Sequence, residues 1–513
     1  MTTTSQYSAI RNAMKILHTS DWHIGRRFKG VDMQKWQQHA LDWLISYIEQ
    51  EHIQVLLVSG DVYDVPRPSA QSVQLLSSVL NRITQLTVDG RPVEVVITPG
   101  NHDSALRLGF ADQAFVPQLH MRWNVRDIAK PVIVERDHEI TAVYALPYLD
   151  PDAYRADIAS LIQEYIQQFD DIQYLPMPYG VQIDDETVVH VDRSHDAMMS
   201  AALTLMMPSI LEQRAKAERI GKAITVIVMA HAFVRGALPA DSERNIAIGG
   251  VQSVASDLFI GSGIDYLALG HLHRAQQVRI DSADITDSSN TDTQHVVLLP
   301  QAKLAKQWCE QHGVKANIDS LVTPIARYSG SLLAYSFSER VIPAREGNNK
   351  SVVILNTESG VDATNAKSKG KHGDTCDQGE MCSSRIVVEH LEPVQSGQPA
   401  LSIVEGKLQD VLNEAEQHSE HWVSARVHVD EYPRGLYEQL DHYYQYVLEK
   451  TIIYDRTASS RSAPRLTAER DAAQDSDILD SFVQDMLGRK ATVQERDVLH
   501  RALERALAQG RAL

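Results

Sequence analysis

Short apolar stretches alternate with helical patterns through the first third of the 513-residue chain. KILHTS, IQVLLVSGD and VEVVITPGNHD are strand candidates, and the amphipathic stretches QKWQQHALDWLISYIEQEH and AQSVQLLSSVLNRITQL lie between them. Strands joined by helical crossovers pair in parallel, because the helix returns the chain to the same end of the sheet. The alternation therefore predicts an α/β fold, and TAVYALPYL, AITVIVMAH and IDYLALGHLH extend it.

These strands end in side chains that bind metals. The carboxyl ends of parallel strands meet at one edge of an open α/β sheet, so we expect the side chains to lie together. A mixed oxygen and imidazole set favours two ions of Mn, Fe or Zn over Ca or Mg. Any one of these motifs is explained equally well by a polar turn, but all of them in this order favour a metal centre. The candidate ligands are Asp21, His23, Asp61, Asn101, His231, His271 and His273.

Asp61 is the candidate bridging ligand, because two ions about 3.5–4 Å apart need a shared anionic group. Gly60, Gly100 and Gly270 each precede a candidate ligand. A residue without a Cβ lets the backbone turn sharply and approach a metal closely.

Composition narrows the class of protein. Hydrophobic residues make up 43% and charged residues 23%, which is typical of a globular chain, and no run of 18 apolar residues predicts a membrane span. An odd count of cysteines, Cys309, Cys376 and Cys382, argues against a disulfide framework and favours a reducing cytoplasm. A net charge of −18 disfavours a protein that holds nucleic acid by its whole surface, although a local basic patch remains compatible with it.

The pattern changes along the chain and predicts several segments. SVVILN and SRIVVEHLEPV are predicted to pair as strands after residue 343, followed by mixed helices and strands. The predicted segments are a disordered leader at 1–13 (unless the native start is Met14), an α/β domain at 14–343 with an exposed Asp/Ser/Thr-rich insertion at about 281–324, a small α+β domain at 344–456 with a disordered loop at about 357–383, a polar linker at 457–474 and two helices at 475–513.

The motif order D-x-H, G-D-x-x-D, G-N-H-D, H and G-H-x-H resembles that of the calcineurin-like metallophosphoesterases. ILHTSDWHIGRRF, ALGHLHRAQ, RNIAIGG and YSGSLLAYSFSE are similar to the DNA-nuclease branch of that family. The resemblance covers residues 14 to about 340 well and the remainder loosely. It implies a β-sandwich flanked by helices, followed by a small α+β capping domain and C-terminal helices. It also implies a hydrolase acting on ester bonds.

The resemblance further implies which residues bind each metal ion and which act on the phosphate. One Mn²⁺ takes Asp21, His23, Asp61 and His273, and the other takes Asp61, Asn101, His231 and His271, with Mg²⁺ as a weaker substitute. His102 stays free of the metals and faces the phosphate, where it stabilises the transition state or protonates the leaving oxygen. Asp103 is the expected orienting partner of His102, and Asp64 lies behind the ligands.

The implied substrate is DNA, cut by 3′-to-5′ exonuclease and by single-strand or hairpin endonuclease action in repair, recombination and replication. Basic residues that follow the metal motifs are candidate phosphate contacts. The implied partner is a coiled-coil ATPase bound by the terminal helices. No GxxxxGK[ST] phosphate loop occurs in the chain, so any dependence on ATP would come from that partner. The implied assembly has two copies of each chain and acts in the cytoplasm, on the nucleoid. The candidate contacts are Arg26, Arg27, Lys29, Arg107, Arg235 and Arg274.

Two other functions remain open at this point. A small-molecule phosphodiesterase or phosphatase has the same motifs but does not need the α+β domain or the terminal helices. A non-catalytic scaffold with a degenerate site is the third interpretation. The complete ligand set argues against it, because a scaffold has no need of these ligands and His102 together.

Overall fold

The computed structural model describes residues 13–110, 116–136, 138–169, 175–243, 253–280, 300–314, 323–341, 350–358, 385–431, 433–455, 492, 495 and 498. The chain divides into two compact units, Met1–Ile453 and Tyr454–Leu513. The named helices and strands lie in the first unit, and only the last residue of the final strand falls in the second.

The elements follow one another in a regular α/β order. The strands are Lys15–Thr19 (β1), Arg27–Phe28 (β2), Val31–Asp32 (β3), Val55–Ser59 (β4), Thr87–Val88 (β5), Arg91–Pro92 (β6), Glu94–Thr98 (β7), Leu119–Met121 (β8), Val132–Glu135 (β9), Glu139–Ala145 (β10), Val181–Ile183 (β11), Val189–Val191 (β12), Ala223–His231 (β13), Phe233–Val234 (β14), Ser253–Val254 (β15), Tyr266–Gly270 (β16), Gln276–Val278 (β17), Ile325–Tyr328 (β18), Ser351–Glu358 (β19), Arg385–Pro393 (β20), Leu401–Lys407 (β21), Trp422–Val429 (β22) and Val447–Tyr454 (β23). The α-helices are Gln34–Gln50 (α1), Ala70–Thr84 (α2), Ala105–Leu108 (α3), Pro151–Ile166 (α4), His195–Arg219 (α5), Pro300–His312 (α6), Leu408–Asn413 (α7) and Leu436–Tyr443 (α8). Short 3-10 helices cover Val125–Asp127, Ser256–Phe259, Phe337–Glu339 and Ala415–His418.

Two sheets of six strands dominate the described residues. The first has the order β20-β19-β1-β4-β7-β8, and the second has the order β17-β18-β16-β13-β10-β9. In the first sheet β1, β4, β7 and β8 are parallel, as are β10, β13, β16 and β18 in the second. Antiparallel strands complete the edges, namely β19 and β20 in one sheet and β17 and β9 in the other.

The two sheets pack face to face. Side chains from both, such as Leu57 and Val96 from one and Ile227 and Ala268 from the other, form a single buried cluster. Helices α1 and α2 cover the outer face of the first sheet, and α4, α5 and α6 cover the outer face of the second. The arrangement is a β-sandwich flanked by helices, which confirms the predicted fold class.

Helix α1 illustrates why these sequences cover a sheet. Its buried residues include Ala40, Leu41, Leu44 and Ile48, which recur every three or four positions and so form one apolar stripe. Helix α5 is buried on most of its surface, and the hydroxyl of Ser194 caps it by accepting the backbone N–H of Ala197.

The domain boundary predicted at residue 343 divides a sheet. Strand β19, assigned from the sequence to the α+β domain, pairs antiparallel with β1, with Lys15 opposite Asn356. Strand β20 pairs with β19, so both strands complete the first sheet. Sequence patterns do not reveal this pairing, because its partners are more than 300 positions apart along the chain.

Two local predictions also differ from the structure. Part of the stretch predicted as an exposed insertion is helix α6, whose Leu304 and Cys309 are buried against the outer face of the second sheet. The amphipathic stretch RGLYEQLDHYYQYVLEK, residues 434–450, predicts a continuous helix, but helix α8 ends at Tyr443 and β23 begins at Val447. In both places packing against a neighbouring layer outweighs local composition.

A third sheet, with order β21-β22-β23, forms the small α/β layer together with α7 and α8. Trp422 packs this layer against the core between the first sheet and helices α1 and α2. Its ring lies 4.8 Å from that of Trp36 and 5.6 Å from that of Phe28, measured between centroids. Phe28 follows the first metal motif by five residues, so this aromatic contact ties the third sheet to the loop that carries His23.

Several predicted segments lie outside the described residues. These are the leader at 1–12, most of the insertion at 281–324 apart from 300–314 and 323–324, the loop at 359–384, the linker at 457–474, and the C-terminal segment 475–513 except Thr492, Glu495 and Val498. Among the described residues, no helix combines the length and apolar character needed to cross a membrane.

Replacing Trp422 by alanine should destabilise the protein strongly. The indole is 3% exposed, and truncating a buried aromatic side chain removes apolar contacts at a cost of about 3–5 kcal/mol. Chemical denaturation of the full chain measures the change. Tyr443→Ala, at a ring 55% exposed, is the control and should alter the free energy of unfolding by about 0.5 kcal/mol or less. Equal effects of the two changes would contradict the docking role of Trp422.

Candidate metal centre

The loops that follow β1 and β4 run side by side and bring the first ligands together. The backbone N–H groups of Asp21, His23 and Ile24 donate to the carbonyl oxygens of Gly60, Asp61 and Val62, at 3.0, 2.9 and 2.9 Å. Asp21, His23 and Asp61 have φ angles of 53°, 46° and 51°, a left-handed conformation that is rare for residues with a Cβ. Such outliers persist only where the surroundings hold them, as they do at functional sites.

Glycines allow the strands to approach at this edge. A Cβ on Gly100 would lie 2.1 Å from Oδ1 of Asp61, and one on Gly270 would lie 1.8 Å from the carbonyl oxygen of Ser59. Neither contact is sterically possible. Glycine at these two positions is therefore required for the close approach of β7 and β16 to β4.

One group of ligand atoms comes from both sheets. Nε2 of His23, after β1, lies 2.9 Å from Nε2 of His273, after β16. Asp21 completes this group, because ligand atoms of all three side chains lie within 4.8 Å of one another. These three residues belong to the ligand set that the sequence assigned to one ion.

A second group centres on Asn101. Its Oδ1 lies 2.9 Å from Nε2 of His231 and 3.0 Å from Nδ1 of His271. The backbone N–H of His271 also donates to both oxygens of Asp21, each at 3.2 Å, which links the two groups. Asn101, His231 and His271 belong to the set assigned to the other ion.

Asp61 lies between the two groups. Its Oδ2 is 3.6 Å from Nε2 of His23 and 3.4 Å from Nε2 of His231, so a single carboxylate oxygen faces both sets. Metal bonds of about 2.1 Å place two ligands of one cation roughly 3 Å apart. These candidate ligand atoms lie 2.9–3.6 Å apart, close to the spacing of atoms that bind a common cation. The two groups therefore fit two divalent cations.

Contacts behind the imidazoles set which nitrogen faces the site. Nδ1 of His231 lies 2.9 Å from the carbonyl oxygen of Ser59, which can only accept, so this nitrogen carries the proton and Nε2 keeps a lone pair for a metal. Nδ1 of His273 lies 2.6 Å from Oγ of Ser242 and 3.8 Å from the buried carboxylate of Glu339. Partners of this kind orient metal ligands and fix their tautomer.

His102 also lies close to these ligands, since ligand atoms of His23, Asp61 and His102 lie within 4.8 Å of one another, but its ring is held differently. Its Nδ1 donates to the backbone carbonyl of Asp64 at 2.8 Å, and its Nε2 is 4.0 Å from Oδ2 of Asp61. Asp103, predicted to orient His102, has other partners in the structure. That carboxylate accepts the backbone N–H groups of Val62, Tyr63 and Gly100 at 2.9–3.0 Å, so it ties two loops together while Asp64 orients His102.

The carboxylates and imidazoles of the site perturb one another's pKa values. Burial raises the pKa of Asp21 and also opposes ionisation of Asp61, but the nearby imidazole of His231 outweighs burial at Asp61 and holds the pKa of Asp61 well below its usual range. Burial opposes protonation of His231, but the Asp61 carboxylate outweighs it and raises the pKa of His231 to about 9. Burial lowers the pKa of His23 well below its usual range and that of His271 to about 3, so both stay neutral. A metal ligand needs an ionised carboxylate or a neutral imidazole, so metal binding would displace a proton from His231.

The candidate DNA contacts differ in exposure. Arg26 is buried, with its side chain 9% exposed, and it donates to the backbone carbonyl of Ser242. Its guanidinium is therefore engaged by the protein itself, unlike that of an exposed phosphate contact. Arg274 is half-buried and donates to the carbonyl of Ser338. The remaining candidates are exposed, namely Arg27, Lys29, Arg107 and Arg235.

Sequence reasoning missed the residues that support His273. Ser242 and Glu243 lie in a loop with no motif, and nothing in the sequence indicates that they meet this ligand. Glu339 occurs in the segment YSGSLLAYSFSE, which contributed to the resemblance but received no role. Its carboxylate pairs with Lys350 and is 4% exposed as a residue. The sequence signal was that Glu339 is the one charged residue of this twelve-residue segment.

Comparison with known families agrees with the site. The model of the calcineurin-like phosphoesterase family matches residues 14–275, more than half of the chain. The chain belongs to the calcineurin-like phosphoesterase family. This confirms the family predicted from the motifs and with it the class of hydrolase that acts on ester bonds, and it supports the use of divalent metals.

Individual relatives are more distant. The chain is 28% identical over 261 residues to SbcD of the SbcCD nuclease from Staphylococcus saprophyticus, an alignment that covers 51% of the chain and 56% of the relative. The chain thus matches about half the length of that relative. Among solved structures it is similar to GAP50, the anchor in the inner membrane complex of Plasmodium, with a TM-score of 0.28, 10% identity, and coverage of 75% of this chain and 89% of that one.

Asp61→Asn should reduce metal occupancy more than Asp21→Asn. One oxygen of Asp61 faces an imidazole of each set, so its loss weakens two sites. The family resemblance assigns Asp21 to one ion, although its ligand atoms also lie within 4.8 Å of those of Asp61 and His231. Metal content of the dialysed full chain, measured by mass spectrometry, gives the comparison. Asp265→Asn is the control, because that buried acid pairs with Arg214 away from the candidate ligands. Two ions retained at normal affinity by Asp61→Asn would refute the bridge.

Proposed function

We propose that the chain is an SbcD-type nuclease, a Mn²⁺-dependent enzyme that hydrolyses DNA phosphodiesters. Its activities are 3′-to-5′ exonuclease on duplex ends and endonuclease on single strands and hairpins, in DNA repair and recombination. Membership of the calcineurin-like phosphoesterases and the name of the staphylococcal relative support this proposal.

The observation that carries the proposal is the position of Asp61. One oxygen of this carboxylate faces His23 on one side and His231 on the other, and each imidazole belongs to a different group of donors. Two adjacent cations that share a carboxylate are typical of enzymes that cleave phosphate esters by attack of water. A site for one structural ion would not need donors from both sheets.

The side chains divide the work as follows. Two divalent cations would supply a nucleophile at neutral pH and offset charge on the reacting phosphate. Asp21, His23 and His273 would hold one of them, Asn101, His231 and His271 would hold the other, and Asp61 would be shared by both sets. His102, oriented through Nδ1 by the carbonyl of Asp64, presents Nε2 to the same space and donates a proton to the leaving sugar oxygen.

The substrate and partner follow from charge and from the relative. Arg27, Lys29, Arg107 and Arg235 are exposed and can contact phosphates around the site. With a net charge of −18, the chain needs a further source of attraction for DNA. An SbcC-type coiled-coil ATPase fits that need, in an assembly with two copies of each protein. The segment expected to bind it, 475–513, lies almost entirely outside the described residues.

Cleavage assays on the purified full chain test the function. A 3′-labelled linear duplex, a hairpin and single-stranded DNA are compared with a nitrophenyl phosphomonoester and a nitrophenyl phosphodiester, with Mn²⁺ or with EDTA. We expect Mn²⁺-dependent cleavage of DNA that exceeds hydrolysis of both small esters. Hydrolysis of the small esters alone would identify a small-molecule phosphodiesterase or phosphatase. Tight binding of two ions without any hydrolysis would identify a scaffold.

His102→Ala should abolish most nuclease activity while both metals remain bound. His102 is surplus to the two donor groups, and loss of a general acid typically costs about 10²–10⁴-fold in rate. Metal analysis and DNA cleavage on the same preparation measure both effects. His120→Ala is the control, since that histidine pairs with Glu94 at the edge of the sheet. Loss of one ion per chain would make His102 a ligand and remove its role as the acid.

A further inference from the structure

Residues 235–243, here named the strap, cross behind the metal ligand His273. The carboxylate of Glu243 accepts the backbone N–H of His273 at 2.7 Å. The strap is fastened at two other points, where the N–H of Leu238 donates to the side chain of Gln276 at 2.8 Å and the N–H of Asp241 donates to Oγ of Ser338 at 3.0 Å. It therefore has a defined position relative to His273.

Ser242 of the strap touches the imidazole itself. Its Oγ lies 2.6 Å from Nδ1 of His273, and the residue is 6% exposed. In the tautomer with the proton on Nδ1, that nitrogen donates to this hydroxyl and Nε2 keeps its lone pair toward His23, 2.9 Å away. Without the hydroxyl, Nδ1 would lose its short hydrogen bond and keep only the Glu339 carboxylate at 3.8 Å, so the ring would be held less firmly in this orientation.

Arg26 holds Ser242 from the other side. Its Nη2 donates to the backbone carbonyl of Ser242 at 2.7 Å, and its guanidinium lies 4.8 Å from the ring centroid of Tyr335. Its Nη1 is 3.7 Å from the carboxylate of Asp64. The backbone N–H of Arg26 donates to the carbonyl of His23 at 3.0 Å. Arg26 thus connects the first metal motif to the strap behind the last one.

We propose that Arg26 and Ser242 are positioning residues for the metal centre and that Arg26 makes no contact with DNA. Arg26 fixes the strap, Ser242 fixes the orientation of the His273 ring, and His273 meets His23 in one ligand set. The proposal rests on the metal centre of the proposed function. Under this proposal, Arg26 has a different role from the exposed arginines that follow the other metal motifs.

Metal binding and DNA binding distinguish positioning from contact. A residue that orients a metal ligand typically contributes 10–100-fold to metal affinity when it is removed. A phosphate contact instead changes DNA affinity and lowers its salt dependence by about one unit of slope. Because Arg26 is buried and Arg107 is exposed, Arg107 provides a matched control at the same kind of position after a metal motif.

The experiment titrates Mn²⁺ into the metal-free full chain by calorimetry. Ser242→Ala should weaken one of the two ions by about 10–100-fold, and Ser242→Thr, which keeps the hydroxyl, should restore most of that loss. Arg26→Met should weaken the same ion. In the Ser242→Ala background it should cost little more, because both residues act through one imidazole. Arg107→Met should leave both ions unchanged.

The second arm measures binding of a DNA duplex against salt concentration. Arg26→Met should keep the wild-type salt slope, whereas Arg107→Met should reduce it. Unchanged Mn²⁺ affinity in Ser242→Ala, or a reduced salt slope with normal Mn²⁺ affinity in Arg26→Met, would overturn the proposal. If Arg26→Met does not fold, the alanine and threonine variants of Ser242 decide the question alone. Absence of Mn²⁺ binding by the wild-type chain would refute the proposed function instead.

Discussion

The shared carboxylate of Asp61 is the constraint on which the site depends. Strand β4 lies between β1 and β7 in the first sheet, so Asp61, two residues beyond its end, falls between Asp21 and Asn101. The facing sheet brings His231 against the same carboxylate, and Nδ1 of that histidine bonds to the end of β4 at Ser59. The bridging position of Asp61 is thus a consequence of strand order and of the packing of two sheets, and the other ligands are arranged around it.

The ligand loops are strained, and hydrogen bonds alone do not offset the strain. A residue with a Cβ in the left-handed region costs on the order of 1–3 kcal/mol, and Asp21, His23 and Asp61 all adopt it. The backbone hydrogen bonds that join the two loops contribute about 0.5–1.5 kcal/mol each. Burial of Trp22 and Ile24, each 1% exposed, supplies further stabilisation beneath the loops. The polar ligands are therefore held on an apolar base, which keeps them close before any cation binds.

The ends of the strands could be predicted from the sequence, because each apolar run ends where a polar motif begins. Parallel strands bring those ends to one edge of the sheet. The pairing of β19 with β1 could not be predicted, because a contact between distant segments leaves no local sequence pattern. The roles of Arg26 and Asp103 were also hidden. Both are charged residues beside metal motifs, and only their surroundings show that one is buried under the strap and the other joins two loops.

The exposed basic residues around the site are partly engaged by the protein's own acids. Lys29 pairs with Glu449 of β23, and Arg235 pairs with Asp196 at 2.6 Å, where the arginine is 52% exposed. Exposed ion pairs contribute only about 0–1 kcal/mol, so a phosphate can displace either acid at small cost. The pairing with Glu449 has a second effect, because it places a predicted DNA contact against the third sheet. If Lys29 contacts a phosphate as proposed, that phosphate competes with Glu449 for the ammonium group and weakens the link to the third sheet.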